Sequence, residues 1–338
     1  MTIRDVAEYC GVSVSTVSRV LNDRPDVRSD VRAKILEAIK ELHYVPNNSA
    51  RSLVSTSSAN IGVIVRGGGN PFFTPIVQAI EHTINQRGYS MSIRHIPDTA
   101  DEVSIGASLA RSKRLAGIIF LGGKFDYEQE RLNSLGIPAL CCTFTNHFGS
   151  LPKDVCSSVS IDDRAEAANA VNLLIKNGHK KIAILLNDRE DRSIGQLRFA
   201  GYCDALKSAG IKLKEDLICE TGAYNLDAAY QKMNALLESN VKFTALFAIA
   251  DSLAIAGMKA ICEHGRRIPD DISVISIDGL SMSRFTVPTL TTLTQPSETL
   301  GQRSAETIID VIEGKSPHRQ IILDADLRVG GTVARAPK

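Results

Sequence analysis

Residues 11–21 read GVSVSTVSRVL, and this stretch decides how the first 46 positions fold. Gly11 ends a preceding helix, because the left-handed conformation that closes a helix is inexpensive only where Cβ is absent. Ser13 restarts the chain as a helix to Leu21, placing Val17, Val20 and Leu21 on one side and Ser15, Ser18 and Arg19 on the other. Upstream, Thr2 is an N-cap candidate for a first helix in which Ile3, Val6, Ala7 and Cys10 share a face. Downstream, Ser29 opens a third helix carrying Val31, Ile35, Ile39 and Leu42, and this helix ends near His43 and Tyr44. Small Ala7, turn-forming Gly11 and inward Val17 let two short helices cross closely. One side of the second is left exposed, which is the arrangement of a helix-turn-helix.

The DVAE of 5–8, the run 11–21 and the YVPNN of 44–48 resemble, in order and spacing, the lactose-repressor (LacI/GalR) family of bacterial transcription regulators. The resemblance implies an all-α helix-turn-helix DNA-binding headpiece at 1–46, a hinge helix and linker at 47–58, and an α/β two-lobed, periplasmic-binding-protein-like (type I) sensor at 59–338. It places Val14, Ser15 and Arg19 at base-contact positions. Arg19 can bind guanine bidentately, Ser15 can hydrogen-bond adaptably, and Val14 can offer a methyl to thymine. Thr2, Thr16, Ser18 and Asn22 are candidates for phosphate contacts, which set register without reading sequence. The segment opening at Asn47 is polar, short and helix-compatible, so it needs a partner to fold. Leu53 sits where the family wedges a leucine between base steps in the minor groove.

Charge alone does not announce a nucleic-acid ligand. The whole chain carries a formal net charge of +1, and residues 1–58 hold eight basic against seven acidic side chains. Placement of charge decides, rather than its sum. The chain is long enough, and at 43% hydrophobic apolar enough, for two or three compact units. Seven cysteines show no paired CxxC spacing, and Cys141 and Cys142 are adjacent, which suits neither a common disulfide nor a zinc site. With no apolar signal core and no spanning run, the expectation is a cytoplasmic protein without membrane contact, cofactor or metal.

From Asn60 onward β-branched runs alternate with helical stretches. Strand candidates fall at 61–65, 91–95, 117–121, 137–142, 181–186, 244–249 and 272–277, with amphipathic helices between them at, for example, 75–87, 164–177, 197–209 and 251–263. That many parallel strands suit two α/β lobes better than one sheet. The family pattern of three crossings puts these near 160, 293 and 325, giving an N-lobe of about 59–160 and 294–324 and a C-lobe of about 161–293 and 325–338. In such folds ligands bind beyond the carboxyl ends of strands. Phe72, Phe73, Arg192, Arg198, Asp251 and Asp278 all follow strands and are the candidate effector residues. RFAGY at 198–202 and SVISID at 273–278 resemble the family's effector-contact motifs. The chemistry suits a small polar effector: aromatic faces can stack on a sugar ring or a base, and an Arg fork and an Asp carboxylate can fix vicinal hydroxyls or a carboxylate. The resemblance places Arg192, Phe72 and Phe73 at positions used by purine-type and some sugar-type relatives. Ala250 and Thr143 stand where sugar-responsive relatives carry an amide and a carboxylate, and Asp251 has a helix-capping role open to it as well.

The glycines of 67–69 lack the following Lys and Ser/Thr of a P-loop, and no HxxxH or Ser/His/Asp set is present, so an enzyme is not expected. A transport-type solute-binding protein would share the sensor but lack the headpiece. The sequence therefore reads as a homodimeric repressor of carbohydrate uptake or catabolism genes, binding a near-palindromic double-stranded operator under control of a small-molecule effector. A purine or a protein co-effector is the alternative.

Overall fold

A computed structural model describes residues 2–21, 26–42, 44, 60–67, 69–124, 126–222 and 224–337. They belong to two compact units, Met1–Ser58 and Ala59–Lys338. Asn22, Asn47, Leu53 and the expected hinge helix lie outside the described residues.

The first unit contains α1 (Ile3–Cys10), α2 (Val14–Leu21) and α3 (Ser29–Glu41). The Thr2 amide donates to the Asp5 carboxylate at 2.6 Å, satisfying one of the donors a helix start leaves unpaired. Gly11 adopts φ +62, and Val12 donates back to the Ala7 carbonyl at 3.0 Å, closing α1. Ser13 then caps α2, its hydroxyl accepting from the Thr16 amide at 3.2 Å. Val6, Ala7, Cys10, Val17, Val20, Ile35, Ala38 and Tyr44 form the core between the helices.

The second unit holds two six-stranded sheets. The first is built from β1 (Asn60–Arg66), β2 (Ser90–Ile96), β3 (Gly117–Leu121), β4 (Ala139–Cys142), β5 (Ser157–Ile161) and β11 (Gln320–Leu323), in the order β11-β5-β4-β3-β1-β2, all parallel. The second contains β6 (Ile182–Leu186), β7 (Ile218–Glu220), β8 (Ala245–Ala248), β9 (Ser273–Asp278), β10 (Thr291–Thr294) and β12 (Asp326–Arg328), in the order β12-β10-β9-β8-β6-β7; only the β10–β12 pairing is antiparallel. Central strands such as β3 (GIIFL) and β6 (IAILL) are buried along their whole length, because helices cover both faces of a parallel sheet.

Between the strands run α4 (Phe73–Gln86), α5 (Glu102–Lys113), α6 (Gln129–Asn133), α7 (Asp163–Lys176), α8 (Ile194–Ser208), α9 (Leu226–Glu238), α10 (Asp251–Glu263) and α11 (Ser297–Ile312). Glycines allow two of the closest helix contacts. A Cβ on Gly201 of α8 would lie 2.1 Å from the Arg164 carbonyl of α7, and one on Gly301 of α11 would lie 2.5 Å from the Ile76 carbonyl of α4. The chain passes from the first sheet to the second after β5, returns after β10 and crosses again between β11 and β12. These passages divide the unit into an N-lobe and a C-lobe, with the carboxyl ends of β1, β3, β4, β6 and β9 bordering one cavity.

Candidate functional site

In the headpiece, the outward side of α2 presents Val14, Ser15 and Arg19 to solvent, while Thr16 and Ser18 are half-buried. Val17 and Val20 anchor the opposite side in the core. Arg19 lies 3.5 Å from Asp26, with both side chains more than half exposed, an arrangement too screened to hold the guanidinium against competition from a base edge or a phosphate. Thr2 is exposed at the start of α1. Val14, Ser15 and Arg19 therefore share one accessible side of α2, as insertion into a major groove requires, while Thr16 and Ser18 are partly covered.

The sensor cavity has a volume of about 510 Å³, within the range small-molecule sites occupy. Four of the six expected effector residues line it: Phe72, Phe73, Arg198 and Asp278. Asp278 ends β9 and Arg198 lies in α8, so one strand and one helix of the C-lobe bring them together. Arg198 is 1% exposed. Its Nε and Nη2 both lie 2.8 Å from Asp163 Oδ1, Nη1 donates to the Ile249 carbonyl, and Asp278 Oδ1 is 3.5 Å from Nη1. A buried guanidinium is tolerable only with its charge matched and its donors engaged, and both conditions hold.

Asp278 is left less well served. Oδ1 accepts from Gln295 Nε2 at 2.9 Å, but Oδ2 is buried with no hydrogen-bond partner. Burial pushes its carboxyl up to about 7, against the opposing pull of Arg198. Asp278 also has φ +135 and Thr143, another lining residue, φ +70. Such backbone strain in non-glycine residues gathers where a site demands a particular direction from a side chain. Tyr224 Oη and Asn187 Oδ1 belong to lining side chains and are buried without partners too. Burial raises the Tyr224 phenol far above its ordinary value, so it stays protonated. A ligand with several hydroxyls could satisfy such groups, since each hydroxyl both donates and accepts.

Two expected effector residues do not line the cavity. Asp251 is fully buried, and its carboxylate accepts from Ser276 Oγ (2.5 Å), Thr292 Oγ1 (2.6 Å), the Leu280 amide (2.7 Å) and Ser283 Oγ (2.8 Å). Those four donors make it a tie between the start of α10 and β9, the turn that follows β9, and β10, with no lone pair turned to a ligand. Arg192 is 62% exposed and lies 3.5 Å from Asp126 of the N-lobe, at φ +34, outside the lining. Sequence reasoning passed over Arg66, Asn70, Lys124, Asn187, Tyr224 and Gln295, all of which line the cavity. Most of them end or follow a strand, so the carboxyl-end rule itself was the available signal.

An exposed recognition helix on the same chain as a polar cavity between two lobes defines a ligand-responsive DNA-binding regulator. The profile described as bacterial regulatory proteins, lacI family, matches residues 2–47, and that of a periplasmic binding protein-like domain matches 171–333. The HTH-type transcriptional regulator MalR of Clostridium butyricum is 35% identical over 97% of this chain and 97% of its own length. The HTH-type transcriptional repressor PurR of Pasteurella multocida (strain Pm70) is 32% identical over 95% of each chain. Among solved structures, the lac repressor dimer bound to operator and the anti-inducer ONPF superposes with a TM-score of 0.78 at 26% identity, covering 99% of both chains. The CelR–cellobiose complex gives a TM-score of 0.73 at 26% identity, covering 98% of this chain and all of that one. The chain belongs to the lacI family of bacterial regulatory proteins and is a DNA-binding transcriptional regulator.

Proposed function

We propose that this regulator is a cytoplasmic, non-enzymatic repressor of carbohydrate uptake or catabolism genes, which binds a near-palindromic operator as a homodimer and answers to a sugar held in the cavity between its lobes. The observation that carries the reading is the Arg198–Asp278 pair beneath a cavity bordered by buried polar groups without partners, a chemistry suited to hydroxyls. The CelR structure contains cellobiose, which supports a sugar over a purine. Among the described residues no helix is long and apolar enough to cross a membrane.

Each headpiece would read one half-site through Val14, Ser15 and Arg19, with Thr2, Thr16, Ser18 and Asn22 fixing register, Asn47 at the start of the hinge segment also contacting DNA, and Leu53 entering the minor groove. A dimer surface is offered by the C-lobe edge. There Phe285 and Val287, between β9 and β10, and Val329, directly after the edge strand β12, are 83%, 91% and 75% exposed, and exposed apolar side chains of this size suit an interaction site. Effector and operator binding would be linked, each changing the affinity of the other by one factor.

The test is to recover an operator by selection from random duplexes, then to titrate sugars and purine bases against the complex in a mobility-shift assay at fixed salt. A symmetric site whose occupancy responds to a sugar is expected. A protein that binds no duplex, or a complex that answers only to a purine base, refutes the respective part of the proposal.

A further inference from the structure

Arg66 closes β1 and lines the N-lobe wall of the cavity, across from Arg198 and Asp278 of the C-lobe. Its side chain is 10% exposed. Nη2 donates to the Asp98 carbonyl, while Nε is buried without a hydrogen-bond partner, 3.9 Å from Glu102 Oε2. Glu102, at the first position of α5, is itself 3% exposed and is held by the Tyr127 hydroxyl at 2.7 Å and the Lys124 amide at 2.9 Å, both on Oε1. The charge of Arg66 is thus balanced by a fixed carboxylate, but its hydrogen-bonding capacity is not used up.

The opposite wall shows the same division. Arg198 is neutralised by Asp163, while Asp278 Oδ2, Asn187 Oδ1 and Tyr224 Oη are left without partners. With Arg66 and Arg198 matched by Glu102 and Asp163, the charges left among the described lining residues are Lys124 against the carboxylates Asp98, Asp188 and Asp191. A phosphate or carboxylate entering here would meet guanidinium groups whose charge is already matched, and would lie among excess negative charge. An uncharged polyhydroxy compound has neither difficulty. It would accept from Arg66 on one wall and donate to Asp278 on the other.

We propose that Arg66, set in place by Glu102, is the residue through which the N-lobe selects the effector, and that the effector is a neutral sugar rather than a sugar phosphate or sugar acid. This rests on the reading of the cavity as a sugar site. Arg66 would contact the ligand; Glu102 is a positioning residue that cancels its charge.

The experiment is calorimetric titration of the full chain with a panel of neutral mono- and disaccharides, including glucose, ribose, maltose and cellobiose, alongside glucose 6-phosphate, glucuronate and adenine. Wild type, Arg66→Met, Arg66→Lys and Glu102→Gln are compared, with operator affinity and melting temperature measured on each. A neutral sugar is expected to bind wild type at least tenfold more tightly than its charged counterpart. Arg66→Met should weaken that sugar by about tenfold to a hundredfold, the worth of a hydrogen bond to a charged group. Arg66→Lys should recover part of the loss. Glu102→Gln should shift the preference toward glucose 6-phosphate, an effect that lost folding alone does not produce. Tighter binding of glucose 6-phosphate or glucuronate by wild type overturns the neutral class while leaving the sugar site standing. Equal sugar affinity in Arg66→Met and wild type overturns the role of Arg66, and binding of adenine alone, or of nothing in the panel, removes the underlying sugar reading itself.

Discussion

Replacing Asp278 with Asn should stabilise the sensor at alkaline pH while removing its response to effector. The carboxyl titrates at about 7 in the folded protein, against an ordinary value of 3.8, because burial penalises its charge more than Arg198 relieves it. A folded value raised above the unfolded one means that stability is fully present below the unfolded value and is lost as pH rises through the folded one. Here the loss runs from about pH 4 to about pH 7. The whole shift of about 3 units corresponds to about 4 kcal/mol as an upper bound, of which about 2.5 kcal/mol accrues between pH 5 and pH 8. Asn does not titrate and keeps an oxygen for Gln295. Arg198 retains Asp163 and the Ile249 carbonyl.

The melting temperature of Asp278→Asn, relative to wild type, should therefore climb by about 5 °C between pH 5 and pH 8, at about 2 °C per kcal/mol for a unit of this size. Differential scanning calorimetry at a series of pH values measures it, and mobility shift measures the lost response. A difference in melting temperature that stays flat with pH refutes the claim that buried charge at Asp278 is held at the expense of stability.

Arg19→Ala should cost about 1–3 kcal/mol of operator affinity and relax one base position, checked by binding to single-base operator variants at constant salt. Asp251→Ala should destabilise the sensor by about 2–5 kcal/mol, because it strips four buried donors of their acceptor; a melting temperature within a degree of wild type would show that water or a shifted side chain takes over. Phe285→Asp should yield a monomer in sedimentation velocity and weaken operator binding by more than tenfold at low protein concentration, while thermal stability changes little because the ring is 83% exposed. An unchanged dimer would move the interface elsewhere.

Local chemistry made much of this protein legible from its residues alone. Helix ends at Thr2, Gly11 and Ser13 are set by capping and by glycine's freedom, and central strands such as 117–121 announce themselves as unbroken apolar runs. The short edge strands β7, β11 and β12 have no such signal, since their order comes from the neighbour they pair with. Position after a strand nominated Asp251 and Asp278 alike. Tertiary structure separated them. Four donors from three segments converge on Asp251 and consume it, whereas Asp278 keeps an unpartnered oxygen beside Arg198. Arg66 and Tyr224 illustrate the same limit from the other side. Their residue types and positions say little until folding buries them around one cavity, because the cost of an unsatisfied polar atom exists only once water has been excluded from it.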